Sequence, residues 1–198
     1  SSGKHSHALP ESFRRLQDGD QIQLGDHCWR IITTGGHSPE HASLYCPDLK
    51  LLISGDQVLP KISSNVSVFA SEPLANPLKD WYEAIDKLMR EVPNDVLVLP
   101  SHNEPFYGLH ERLESLRSGQ DRALDRLHHA LSTRPHRIID TFTVLFNRAI
   151  GEQDTQQFGM ATGEAVACMN FLIAKGTVDL TMDENGVAWY SIKLEDAD

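Results

Sequence analysis

Gly35-Gly36-His37-Ser38-Pro39-Glu40-His41 is the stretch on which the fold turns. Its two glycines and its proline cannot continue a strand, yet it holds two imidazoles. Immediately upstream, Cys28-Trp29-Arg30-Ile31-Ile32-Thr33 has the β-branched and aromatic weight of a strand. With Gln21-Ile22-Gln23-Leu24 and the turn at Gly25-Asp26 it reads as a hairpin. Downstream, Ala42-Ser43-Leu44-Tyr45-Cys46 and Lys50-Leu51-Leu52-Ile53-Ser54 are two more strands around the turn Pro47-Asp48, the second ending at Gly55-Asp56. The quoted stretch is therefore a loop at a strand end, where a sheet can bring side chains distant in sequence to one point.

The same arrangement recurs further on. Residues 60–76 show little periodicity and read as a long functional loop. A helix is predicted from about Pro77 to Arg90, capped by Asn76, with Trp81, Ile85 and Leu88 on one apolar face. The short apolar strand Asp95-Val96-Leu97-Val98-Leu99-Pro100, of the kind buried in a sheet, then delivers Ser101-His102-Asn103 into a loop. Three sets of donors, at His37, Asp56 and His102, thus each follow a strand. A loop histidine or a Gly-Asp turn is commonplace alone; the ordered set is not. Neutral imidazole and carboxylate suit zinc, iron(II) or manganese, and a carboxylate can bridge two ions about 3.5–4 Å apart.

Beyond Leu109 the pattern becomes helical. Leu109 to Leu131 is one long stretch, with a break expected near Gly119. Ile138 to Ile150 and Met160 to Ala174 are two further predicted helices. Two strands, Thr177 to Met182 and Val187 to Ile192, flank Asp183-Glu184-Asn185-Gly186, whose Asn-Gly signals a hairpin. Three helices and a terminal hairpin are the outline of a winged helix.

Composition narrows the function. The 198 residues carry a formal charge of −10, which disfavours nucleic acid as a partner, since phosphate binding needs an excess of Lys and Arg. Residues 111–198 are themselves acidic, with nine Lys and Arg against fourteen Asp and Glu. No apolar run is long enough for a membrane span. The three cysteines form no CxxC pair and sit among apolar neighbours, so all three are expected to be buried hydrophobes in a reducing, cytoplasmic setting.

The pattern Gly-His-Ser-x-x-His (Gly36 to His41), Ser-Gly-Asp-x-Val-Leu-Pro (Ser54 to Pro60) and Leu-Pro-x-His (Leu99 to His102) resembles the downstream half of metallo-β-lactamase-fold hydrolases. The resemblance covers about residues 10–130. It implies an α/β fold, the C-terminal half of an αββα sandwich (residues 1–110), followed by a helical winged-helix-like domain (residues 111–198) that one branch of the superfamily carries. That branch includes the lactamase-like endoribonuclease of mitochondria and bacterial thioesterase-like enzymes. The resemblance further implies that His37 and His102 are metal ligands and that Asp56, as bridge, is both ligand and catalytic residue. His41 would orient the loop by hydrogen bonding without touching metal. The implied cofactors are two divalent ions, zinc first and iron or manganese as alternatives. The implied activity is attack by a metal-bound hydroxide on an ester-like bond, with thioester or carboxylic ester ahead of RNA phosphodiester.

Two departures qualify it. The superfamily's His-x-His-x-Asp-His motif does not occur; His5-Ser6-His7 imitates only its start. The chain is accordingly expected to be a fragment, inactive alone, that homodimerises or associates with a missing N-terminal half. The rival is a non-catalytic interaction module that retains the fold. The second departure is Ser101-His102-Asn103-Glu104, where many relatives have Gly-His-Gly. Asn103, together with Lys61 and Tyr107, is a candidate substrate-binding residue, Lys61 facing the active-site mouth to attract an anionic group and Tyr107 placing a phenol near a developing oxyanion.

Overall fold

The computed structural model describes residues 12–151 and 153–193, so His5-Ser6-His7 lies outside the described residues. Five strands form one sheet in the order of the chain: β1 (Gln21–Leu24), β2 (His27–Thr34), β3 (His41–Cys46), β4 (Leu51–Gly55) and β5 (Leu97–Pro100). The first four are an antiparallel meander. β5 lies parallel to β4, with Leu52 opposite Val98. Parallel neighbours need a crossover, and helix α1 (Pro77–Glu91) supplies it.

The local chemistry of α1 sets its limits. The Asn76 side chain accepts from Lys79 N, and Pro77 occupies the first turn, where its missing N–H is not needed. Leu78, Trp81, Ala84, Ile85 and Leu88 form its buried stripe, and each large side chain so buried stabilises by roughly 1.5–3 kcal/mol. They meet the sheet face that carries Ile32, Leu52 and Val98. At the far end Arg30 donates to Glu91 Oε2 at 3.0 Å and to the Glu91 carbonyl at 2.9 Å, holding a cation against the negative end of the helix. The opposite sheet face is also apolar: Leu44, Leu51, Leu97 and Leu99 are half-buried and Ile53 is exposed.

Helix α2 (Leu109–Thr133) runs straight through Gly119. The expected break is absent because a helical glycine costs only about 1 kcal/mol, and the buried row Leu113, Leu116, Leu124, Leu127 and Leu131 anchors both halves. The predicted helix Ile138–Ile150 shrinks to a 3-10 turn (Ile138–Thr141) and helix α3 (Phe142–Phe146). Asn147 ends it in the left-handed region, φ 52°, while its N–H returns to the Thr143 carbonyl. Helix α4 (Thr155–Ala174) begins earlier than its apolar pattern indicates, because Asp154 caps it through Gln157 N. The hairpin β6 (Val178–Met182) and β7 (Ala188–Ile192) closes the chain, and Tyr190 exchanges backbone bonds with His136. One apolar core runs from Leu52 and Val98 through Trp81 and Leu113 to Met169 and Tyr190, so the helical region and the sheet are packed as one body. Of the cysteines, Cys46 and Cys168 are buried. Cys28 is only half-buried, since it lies on the edge hairpin facing Gln21.

Candidate metal centre

Because β2 and β4 both run antiparallel to β3, and β5 runs parallel to β4, the C-terminal ends of β2, β4 and β5 share one edge of the sheet. His37, Asp56 and His102 leave from those three ends. Ser101 N donates to the Gly55 carbonyl at 3.1 Å, which sets the Asp56 and His102 loops side by side. Gln57 Nε2 donates to the Gly35 carbonyl at 3.2 Å, which draws in the His37 loop. The His37 loop itself lies flat on α1: a Cβ at Gly36, whose φ is +103°, would stand 2.5 Å from Trp81 Cβ.

The result is a carboxylate between two imidazoles. His37 Nε2 lies 3.6 Å from Asp56 Oδ2 and His102 Nε2 lies 3.4 Å from Asp56 Oδ1, one ring on each oxygen. These separations are too long for good hydrogen bonds. They are, however, what two ligands of one cation show: bonds near 2.1 Å in tetrahedral arrangement place ligand atoms about 3.4 Å apart. The donor set therefore fits a divalent ion on each side of Asp56. An ion at either position would take two donors from this chain. Among the described residues no group of three or more His, Cys, Asp or Glu closes around a single point.

Three neighbours give the arrangement its shape. His37 Nδ1 stands 2.9 Å from the Asn65 carbonyl. A carbonyl only accepts, so Nδ1 carries a proton, and Nε2 is the nitrogen that faces Asp56. Ser101 Oγ donates to Asp56 Oδ1 in a short hydrogen bond. His41 opens β3 instead of lying in the loop, and its place differs from the expected one: its Nδ1 is buried without a hydrogen-bond partner. It acts by contact, its ring pressed on Gly55, where a Cβ would come within 2.7 Å of Nε2 and where φ is +52°. Burial first, then the neighbouring His37, hold the His41 imidazole below its ordinary range, against the pull of Asp56. A neutral His41 therefore adds no charge beside the carboxylate.

The other candidates lie further out. Asn103 is exposed, and its φ of 66° gives it a local reason to be asparagine. Tyr107 is 71% exposed on the same loop. Lys61 lines a cavity of about 340 Å³ between the 61–66 loop and α1, α2 and α4, together with Arg112, Gln120 and Glu164. The sequence does not mark Asn65 or Ser101 as a partner of His37 or Asp56: Asn65 lies in a loop without periodicity, and Ser101 fills the variable place of Leu-Pro-x-His.

Comparison with known proteins bears on the fold. Residues 8–102 match the family model described as Metallo-beta-lactamase superfamily. Residues 124–193 match that described as Metallo-beta-lactamase-like, C-terminal domain. A beta-lactamase domain protein of Burkholderia ambifaria is 39% identical and superimposes with a TM-score of 0.88 over 94% of this chain and 54% of its own. A metallo-beta-lactamase family protein of Thermus thermophilus is 25% identical, with a TM-score of 0.78 over 93% of this chain and 56% of its own. A hydroxyacylglutathione hydrolase of Rhizobium etli is 26% identical over 110 residues, 56% of this chain and 37% of its own length. The chain thus spans about half the length of the two solved relatives and less of the curated one.

Proposed function

The chain belongs to the metallo-beta-lactamase superfamily, and from that membership we propose that it carries one half of a two-metal site that hydrolyses an ester-like bond, with a thioester or carboxylic ester as substrate. The observation that carries the proposal is the Asp56 carboxylate with one imidazole nitrogen on each oxygen, at 3.4 and 3.6 Å. When bound, divalent ions polarise the scissile carbonyl and bring the acidity of a water near neutral pH.

The chain's own residues do the holding. His37 and His102 would each offer Nε2, and Asp56 would offer one oxygen beside each of them. The Asn65 carbonyl keeps the His37 proton on Nδ1, and the Ser101 hydroxyl fixes the rotation of the Asp56 carboxylate. Asn103 and Tyr107, exposed beyond β5, are the groups we assign to the acyl side of the substrate. The Rhizobium etli relative is by name a hydrolase of hydroxyacylglutathione, which favours a thioester here. The acidic residues 111–198, which we read as a winged-helix-like unit shaping the substrate entrance, weigh against RNA. Each ion gains only two donors from these residues, so the proposal includes further ligands from a His-x-His-x-Asp-His segment.

The test is a hydrolysis screen on acyl-thioesters, carboxylic esters, lactones and RNA, with zinc, iron(II) and manganese. It compares the 198-residue chain with any longer form carrying that motif. Metal-dependent thioester or ester turnover by the longer form, abolished by Asp56→Asn, is expected. Turnover of RNA alone moves the substrate class. Inactivity of a motif-bearing form on all four supports a non-catalytic module.

A further inference from the structure

Residues 61–76 form the long loop that carries Asn65, and no helix or strand of its own supports it. What supports it is α4. Val68 N donates to the Gly163 carbonyl at 3.1 Å. A Cβ on Gly163 would stand 2.8 Å from Ser67 Cβ and 3.0 Å from the Val68 carbonyl, so the helix backbone touches the loop directly. At the next residue, Glu164 Oε1 accepts from Asn65 Nδ2 at 2.7 Å. Ser67 Oγ donates to Asn65 Oδ1 at 2.7 Å, which fixes which end of the amide faces the glutamate.

Asn65 stands between Glu164 and His37: its side-chain amide is held by Glu164 and Ser67, and its backbone carbonyl lies 2.9 Å from His37 Nδ1. A side-chain network in which every member is satisfied is rigid, so Asn65 keeps its carbonyl on the imidazole. Resting on the metal-site reading above, we propose that Glu164 is a positioning residue for His37, holding Asn65 so that the imidazole keeps its proton on Nδ1 and turns Nε2 to Asp56. The helical region would then be part of the metal centre's outer support, reaching a ligand 127 positions earlier in the chain through one residue, Asn65.

Glutamine at 164 keeps an acceptor oxygen for Asn65 but loses the charge that strengthens the bond, and alanine offers no acceptor. The test uses the 198-residue chain without metal at pH 8, with wild type, Glu164→Gln and Glu164→Ala, and His37→Gln to assign the His37 signals. Long-range proton–nitrogen NMR of the ring reads the tautomer; a thermal melt reads the fold. Wild type is expected to show one tautomer, protonated at Nδ1. Both variants are expected to show a mixture while still melting cooperatively, with the larger change in the alanine. If the alanine does not fold, the glutamine decides. A folded variant with the wild-type His37 spectrum overturns the proposal. Zinc titration of the same proteins is the separate arm: removal of such a partner is expected to weaken binding about 10-fold or more. If wild type takes up no metal while the tautomer still shifts with Glu164, the metal reading fails and the positioning role stands.

Discussion

Glu164 makes the protein less stable as pH rises through the range where most carboxylates have finished titrating. Burial pushes its carboxyl from 4.5 up to about 7, against the bonds from Asn65 and Val66 and the attraction of Arg148. The other titratable neighbour, Cys168, is itself pushed up to about 12 by burial and stays neutral. Between those two values the folded protein holds a proton that the unfolded chain has released, so stability falls with rising pH. The contribution is fully present below 4.5 and lost by pH 7. Across that interval it amounts to about 3 kcal/mol, at 1.36 kcal/mol for each unit. Glutamine cannot titrate, and the other carboxylates cancel between the two proteins. Urea unfolding from pH 4.5 to 8 is therefore expected to show the stability difference shifting in favour of Glu164→Gln by about 3 kcal/mol. A difference that stays constant with pH, or shifts toward wild type, refutes the desolvated carboxylate. Taken with the tautomer experiment, a glutamine variant that is more stable at pH 8 yet holds His37 less well separates positioning from structural support.

Gly36→Ala places a methyl 2.5 Å from Trp81 Cβ and 2.7 Å from its Cα, at a φ of +103°. Backbone on both sides cannot yield, so stability is expected to fall by about 3 kcal/mol or more, read as a lower denaturation midpoint, and an unchanged midpoint contradicts the close packing of loop on α1. Arg112 donates to the carbonyls of Leu59 at 2.6 Å and Ile62 at 2.8 Å. Its replacement by alanine is expected to speed proteolytic cutting within residues 59–76 several-fold under native conditions, whereas an unchanged rate shows that other contacts hold the loop.

Sheet, site and helices were legible in the sequence to different degrees, for physical reasons. Val98 and its neighbours, Trp81 with Ile85 and Leu88, and the Asn-Gly turn of the hairpin announce themselves through local periodicity or turn chemistry, and they lie where expected. Ile138 to Ile150 misleads because its apolar residues suit a helix, while Asn147 takes the left-handed turn that stops it. His37, Asp56 and His102 could be found because each follows a strand, and the directions of β2, β4 and β5 then carry all three to one edge. Asn65, Ser101 and Glu164 could not. Their partners lie 28, 45 and 99 positions away, and a hydrogen bond of that span leaves no mark on local pattern. His41 shares the glycine-rich motif, but its contact with Gly55 depends on strand pairing.

Counting bound metal after equilibrium dialysis of the chain against zinc, iron(II) or manganese tests the bridging carboxylate most directly. With one imidazole on each oxygen of Asp56, wild type should take up two ions weakly, His37→Ala and His102→Ala should each lose one, and Asp56→Asn should lose both. Two ions bound tightly by the chain alone, or a count that Asp56→Asn leaves unchanged, would contradict it.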